Sequence, residues 1–407
     1  MYNLGIYFFS LICRLASLFN KKIRTMCQGQ KQTWHKISSL DKNKKTLWFH
    51  CASLGEFEQA RNLIEALDKL NKTYNILISF FSPSGYEVRK NYKYADCVVY
   101  LPFDTPRNAK RFILAVNPEI TFFIKYEFWW NYIRELRTRK LYSVSLILRK
   151  QHYLFKPYSF WFRKQLKNFD FFFVQNLDTA TLLSSIGYKN NLIVGDTRFD
   201  RVFSMSKEQK VFPLIEKFIG GKNVFLAGSS WTEDEKIINE ALKDFKEIKI
   251  IIAPHLIDKK HIVTLLNEFP NSITLSSITQ DNCSSYNTLI IDNIGILMHL
   301  YSLCTIAYIG GGFGVGIHNI LEAAVFNKPI AFGPNNKKFN EAQDLIKLGA
   351  AKEIHNAKEL RFWIKMLLND NIMYKNISTI AGNYVKENRG ATDKILDKIF
   401  QYEEQYF

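Results

Sequence analysis

Short apolar runs alternate along the chain with segments whose apolar residues recur every three or four positions. The runs Thr46–Ala52, Ile76–Phe80, Cys97–Leu101, Glu119–Ile124, Tyr142–Ile147, Phe169–Val174 and Leu192–Val194 predict strands. Many are continuous rather than alternating, as expected for parallel strands covered on both faces. Between the first two, Phe57, Ala60, Leu63, Ile64, Leu67 and Leu70 fall on one face of a predicted helix. The unit is βαβ, repeated. Across Met205–Gly221 the alternation lapses, with Pro213 and paired glycines marking a connection. It resumes at Asn223–Ala227, Ile248–Ala253, Ser272–Leu275, Thr288–Ile291, Thr305–Ile309 and Pro329–Phe332. The reading is α/β: Rossmann-like domains over 25–204 and 222–390 facing a cleft, a linker over 205–221, and a closing amphipathic helix over 391–407.

Residues 1–24 stand apart. Met1–Asn20 is apolar with Arg14 its only charge, and lacks a basic leader and a small-residue cleavage site, which argues against a removed signal peptide. As one helix, the 19 residues before Asn20 would rise roughly 28 Å, close to the hydrocarbon thickness of a bilayer. Lys21, Lys22 and Arg24 follow and would keep the rest of the chain cytoplasmic. The segment is expected to contact the membrane, by spanning it or lying on it. Because it precedes the first βα unit, it is expected to localise the protein without entering its active site.

Composition narrows the class. At 407 residues the chain exceeds what one core usually supports, and 47% hydrophobic with 23% charged residues is an ordinary globular balance. The net charge of +17 suits an anionic partner, and Lys- and Asn-rich codon usage would produce it equally. No nucleic-acid motif accompanies it. The six cysteines have no metal-binding spacing, so a reducing compartment and no metal site are expected.

Candidate chemistry lies at predicted strand ends. Ser53-Leu54-Gly55-Glu56 opens the first helix; its spacing is first that of a capping box, and it also admits a general base at the sheet's C-terminal edge. Ile309–Glu322 carries five glycines in seven residues before a helix, a pattern for cradling phosphate, with Asn319 and Glu322 as a cap or as ribose contacts. Lys125-Tyr126-Glu127-Phe128-Trp129 places a carboxylate beside aromatics; Pro254-His255 and Gly333-Pro334 end other strands; Asp196-Thr197-Arg198 sits near the domain junction.

Together these segments resemble the 3-deoxy-D-manno-octulosonic acid (Kdo) transferases of lipopolysaccharide synthesis. WFHCASLGEFEQARNLIEAL is similar to the family's acceptor-side motif, FIKYEFWWN to its Glu-x-Trp segment, and GGGFGVGIHNILEAA to its Gly-Gly-His-Asn-x-Leu-Glu motif. The resemblance implies a GT-B fold and an inverting, metal-independent transfer of Kdo from CMP-Kdo to a lipid A precursor at the cytoplasmic face of the inner membrane. CMP-Kdo is then a co-substrate and no cofactor is needed. The implied roles are Glu56 as proton acceptor, Glu127 and Arg198 as transition-state stabilisers, and Ser53, Gly55 and Trp129 on the acceptor side. CMP would meet Pro254, His255, Gly295, Ile296, Leu297, Gly316, Asn319, Ile320, Leu321 and Glu322. This chain departs from the family pattern at Arg198, where Lys is usual, at Pro254, where Arg is usual, and at Ile296, where Glu is usual. Two alternatives stay open: another nucleotide-sugar enzyme of the same fold, and a noncatalytic, membrane-tethered nucleotide-binding protein.

Overall fold

The computed structural model describes residues 1–70, 73–208 and 210–404. The chain divides into two units, residues 1–201 with the C-terminal segment from Arg389, and Val202–Asn388.

The first unit holds β1 (Lys45–Cys51), β2 (Tyr74–Phe80), β3 (Cys97–Tyr100), β4 (Pro118–Ile124), β5 (Lys140–Leu146), β6 (Phe171–Val174) and β7 (Asn191–Ile193). They form one parallel sheet in the order β3-β2-β1-β4-β5-β6-β7. Apart from the edge strand β7, whose Leu192 and Ile193 are exposed, its strands are buried on both faces, which is why they read as continuous apolar runs. Alternate residues of β1 serve opposite cores: Leu47, Phe49 and Cys51 one, Trp48 the other. The strand order reverses between β1 and β4, the position where ligands gather in open α/β sheets.

Two helices, α1 (Tyr2–Ala16) and α2 (Lys21–Ile37), precede β1, and α3 (Leu54–Leu70) follows it. The apolar helix expected ahead of Asn20 is present but shorter: α1 ends at Ala16, and the Asn20 side chain caps α2 by accepting from the Ile23 amide at 3.2 Å. The two helices meet at 118°, and no single described helix is long and apolar enough to cross a membrane. α1 is also fastened to the unit. The Tyr2 hydroxyl donates to buried Asp104 at 2.5 Å, and the Asn131 amide donates to Asn3 at 2.9 Å. Phe9 packs on Phe81 and Phe103, and Cys13 joins the core. Its outer face leaves Leu4, Phe8, Leu11 and Leu15 exposed.

The second unit repeats the architecture with β8 (Asn223–Ser230), β9 (Ile248–Pro254), β10 (Ser272–Thr274), β11 (Thr288–Ile290), β12 (Ile306–Ile309), β13 (Ile330–Phe332) and β14 (Ala351–Glu353). The parallel order is β10-β11-β9-β8-β12-β13-β14, with its reversal between β8 and β12. Within the stretch 205–221, Pro213–Ile219 is helical and buries Ile215 and Phe218. The helix Ala391–Glu404 returns to the first unit, where Ile395 and Ile399 enter the core shared by Leu47 and Phe57. Asp200 secures this return by accepting from the Thr392 amide and hydroxyl, both at 2.7 Å.

Candidate functional site

Each unit gathers chemistry at its own switch point. In the first, the loops after β1 and β4 carry Glu56 and Glu127. Glu56 lies in the first turn of α3, is 7% exposed, and accepts the Ala52 amide at 2.5 Å through Oε2. The carboxylate thus satisfies a backbone amide just ahead of the helix, at Ala52, one residue before the Ser53 amide that a capping box would use. The Glu56 carboxyl is nevertheless pushed up to about 8. Burial is the largest cause and the charge of Glu127 the next, opposed by the Ala52 amide, the Lys125 ammonium and the Ser53 amide. The negative charge of Glu127 thus adds to burial in opposing ionisation of Glu56. The neighbouring Gly55 is exposed, and a Cβ built there would meet open space, so a ligand can approach α3's first turn closely. Ser53 is half-buried beside it.

Glu127 is held from two sides. The Trp129 indole N–H donates to its Oε2 at 2.7 Å, and His50 Nε2 stands 3.8 Å from the same oxygen. Trp129 is itself wedged between Phe81 and His50, with ring centroids 4.9 and 5.4 Å away. The turn is set by Lys125, whose φ of 59° is left-handed for a residue with a side chain. Downstream, Asp104 accepts the Asn131 and Tyr132 amides, both at 3.1 Å, and so caps the helix Trp130–Glu135. Burial lifts the Asp104 carboxyl to about 7 despite these bonds and the Tyr2 hydroxyl.

Arg198 occupies the first turn of the helix Thr197–Ser206, with its Nε and amide N–H both 2.9 Å from the Asp196 carboxylate. Its guanidinium is thus already shared with a carboxylate of its own loop.

In the second unit, β8 and β12 end at Trp231 and the glycine loop. Gly310 and Gly312 are required by packing, since a Cβ would lie 2.2 Å from the Ser229 carbonyl oxygen and 2.5 Å from the Gly333 amide nitrogen. The loop is anchored by buried Asp234, which accepts the Gly311 amide at 2.7 Å, the Tyr308 hydroxyl at 2.7 Å and the Trp231 amide at 3.0 Å. The amides of Gly314 and Gly316 both donate to the Gly311 carbonyl, and that of His318 to Gly310, so part of the expected amide cradle is spent inside the loop. Asn319 accepts the Leu321 amide at 3.2 Å and donates to the Glu322 carboxylate at 3.0 Å; it is both cap and clamp. Ile320 and Leu321 are buried at the start of this one-turn helix.

Trp231, His255 and His318 form a stack, with centroids 4.7 Å apart for Trp231–His255 and 4.6 Å for His255–His318. The Trp231 indole donates to His318 Nε2 at 3.1 Å, so the His318 proton sits on Nδ1. Burial and His255 together lower His318 to about 4. Pro254 is buried at the end of β9, bringing exposed His255 onto this stack. Gly295 at φ 97° and Ile296 lead into the short helix Leu297–Leu300. Leu297 and Tyr301 pack over Gly228 of β8, and Glu322 lies within electrostatic range of Tyr301.

The structure thus gathers Ser53, Gly55, Glu56, Glu127 and Trp129 in one unit, and His255, Gly316, Asn319 and Glu322 in the other. The pattern reading missed His50, Asp104, Trp231, Asp234 and His318. His50 lay inside a strand, and nothing in its spacing distinguished it from core. His318 stood in the glycine motif itself, and the preceding strand's end at Trp231 was the signal for its partner. Among the described residues no group of three or more His, Cys, Asp or Glu is placed to hold a metal ion.

Residues 28–201 match the family model for 3-deoxy-D-manno-octulosonic-acid transferase. The 3-deoxy-D-manno-octulosonic acid transferase of Rickettsia prowazekii is 28% identical over 377 residues, covering 88% of this chain and 80% of that protein. A bifunctional glycosyltransferase/methyltransferase of Fusobacterium nucleatum is 27% identical over 377 residues; the match covers 88% of this chain and 57% of that longer protein. UDP-GlcNAc 2-epimerase from Neisseria meningitidis superposes with a TM-score of 0.63 at 16% identity, covering 88% of this chain and all of that one. That likeness is one of fold, and the fold is the two-unit parallel α/β architecture of GT-B type. Over most of its length the chain is thus similar to 3-deoxy-D-manno-octulosonic acid (Kdo) transferases, and its first unit carries the match to their family model.

Proposed function

We propose that this glycosyltransferase moves Kdo from CMP-Kdo to the 6′-hydroxyl of the lipid A precursor lipid IVA, with inversion at the Kdo anomeric carbon and without a metal or cofactor. Glu56 takes the hydroxyl proton, the freed oxygen bonds to the anomeric carbon, and the bond to the CMP phosphate breaks with its electron pair leaving on CMP. The observation that carries this reading is the buried Glu56 carboxyl, raised to about 8 beside Glu127. A base with that proton affinity holds the proton it takes and is still partly ionised near neutral pH. Glu127 places negative charge where an oxocarbenium-like centre develops, and Arg198 supplies a cation to the same reaction. On the donor side, Glu322 and Asn319 meet the ribose, the Gly316 loop and His255 the phosphate, and Gly295–Leu297 the base edge.

The working location is the cytoplasmic face of the inner membrane. The exposed apolar residues of α1, with Lys21, Lys22 and Arg24 directly after, support an anionic bilayer surface as partner. The test is incubation of the purified protein with CMP-Kdo and tetraacylated lipid A precursor, read by mass spectrometry. A product heavier by one or more Kdo residues is expected, with competition by CMP and not by UDP. CMP binding without any transfer would return the noncatalytic alternative.

A further inference from the structure

His50 is fully buried in β1, and its Nε2 has no hydrogen-bond partner. An orphaned nitrogen at such a depth is costly, so its surroundings bear on function. Its other nitrogen, Nδ1, lies 2.9 Å from the hydroxyl of buried Ser79, which also receives the Trp48 indole N–H at 2.8 Å. The indole can only donate, so Ser79 accepts from Trp48 and its own hydrogen is free for His50 Nδ1. With Nδ1 accepting, the imidazole hydrogen sits on Nε2, aimed at Glu127 Oε2 across 3.8 Å. The opposite tautomer would leave the Ser79 hydrogen without an acceptor and set a bare lone pair against a carboxylate oxygen.

We propose that His50 is a positioning residue for Glu127: its N–H, held at Nε2 by the Ser79–Trp48 pair, fixes the carboxylate through Oε2 and leaves Oε1 for the reacting centre. Trp129 donates to the same Oε2, and among the described residues no hydrogen bond reaches Oε1. The gap of 3.8 Å exceeds a hydrogen bond and is one that closes as charge develops, as catalytic contacts do when substrate binds.

The inference rests on the reading of Glu56 and Glu127 as the catalytic pair, and it has a consequence for pH. The rate rises as Glu56 loses its proton, and an N–H on Glu127 offsets the negative charge that opposes that loss. The other groups facing the pair are few. Lys125 opposes its charge; Cys51, Tyr126 and Tyr153 are held neutral by burial; Arg149 lies near Tyr126; Glu58, near Cys51, is bound by Arg89 and Arg201. Removing the His50 N–H therefore moves the ascending limb of the kcat–pH profile to higher pH.

His50→Asn keeps a group facing Ser79 and deletes the N–H over Glu127. The expected result is kcat lowered roughly 10- to 100-fold, the worth of a hydrogen bond to a charged group. The limb should rise by roughly one pH unit, with KM for CMP-Kdo unchanged. His50→Gln, whose amide nitrogen reaches the Nε2 position, should restore most of both. Ser79→Ala, which keeps His50 and frees its tautomer, should move the limb the same way by less, and it decides the matter if His50→Asn does not fold. A folded His50→Asn or Ser79→Ala protein that loses rate with an unmoved limb overturns the proposal. Histidine-selective ¹⁵N spectra of the full-length protein, with His50 assigned by its loss in His50→Gln, report the tautomer without turnover. A hydrogen on Nδ1 also overturns the proposal, while a wild-type protein that shows the Nε2 hydrogen and transfers no Kdo overturns only the reading of the reaction.

Discussion

Trp129 donates its indole N–H to Glu127 Oε2 at 2.7 Å from two residues along the same turn, while its ring lies against Phe81. A carboxylate at the β1–β4 switch point is thereby fixed by the loop that carries it. The turn that allows this begins with left-handed Lys125 and ends in a helix capped by Asp104, so strain at one end is balanced by satisfied amides at the other.

Trp129→Phe separates the two roles of the indole. The ring keeps its packing on Phe81 and His50, and only the N–H is lost. Activity is expected to fall roughly 10- to 100-fold, as for other hydrogen bonds to charged groups, with a melting temperature close to wild type. An equal loss of stability and rate would mean that the ring, not its N–H, serves the site.

Asp234 plays the corresponding part in the second unit, where one buried carboxylate receives Tyr308, Gly311 and Trp231. Asp234→Ala leaves two backbone amides and a hydroxyl unmatched. It should cost about 2–5 kcal/mol by thermal or denaturant unfolding and weaken CMP binding in calorimetry. Trp231→Phe, which keeps the stack on His255, should spare stability and release His318 from its fixed tautomer.

The strands at the sheet centres were legible because they are buried on both faces and so read as unbroken apolar runs; β7 was legible from its apolar residues although Leu192 and Ile193 are exposed. The strand missed was β14, Ala351–Glu353, three residues at a sheet edge whose middle member, Lys352, is exposed. Glu56, Glu127 and the glycine loop were visible because a carboxylate or a glycine cluster at a strand end is out of place in a core. His50 was not, because a histidine within a strand acquires meaning only from Ser79 and Glu127, which lie on other strands and loops. The N-terminal helix was legible, and its end was not: the apolar run continues to Phe19, while α1 stops at Ala16. The break between α1 and α2 follows, closed by Asn20, which caps α2.

That break changes what truncation does. The segment was expected to localise the protein and to be separable from its chemistry. Tyr2, however, bonds to Asp104, the residue that caps the helix after Glu127 and Trp129. Tyr2→Phe should therefore cost about 1–3 kcal/mol of stability while leaving the apolar outer face of α1 intact. Removal of residues 1–20 should lower both membrane association and stability of the first unit. A truncation with wild-type melting temperature and full activity on detergent-dispersed acceptor would restore the view of a detachable anchor.

Glu56→Gln tests the base and the cap together, because the two roles have opposite signatures. Glutamine can still accept the Ala52 amide through its side-chain oxygen, so losing a cap outright, worth about 1 kcal/mol, is avoided. It cannot take a proton, and the rate should fall by roughly 10²–10⁴-fold. Stability carries a second signature. The Glu56 carboxyl is raised from its ordinary value to about 8, so the folded state holds a proton that the unfolded chain gives up near pH 4.5. The stabilisation this proton provides is fully present below the unfolded value, is lost as pH rises through about 8, and does not change beyond it. Wild type should thus weaken relative to Glu56→Gln between pH 5 and 9, with the two melting curves running parallel above that range. CMP affinity, which the donor site proposed in the other unit would govern, should be the same in both proteins. A Glu56→Gln protein that transfers Kdo at the wild-type rate would reduce Glu56 to a helix cap, and melting curves parallel from pH 5 upward would show that its buried carboxyl is ionised at rest.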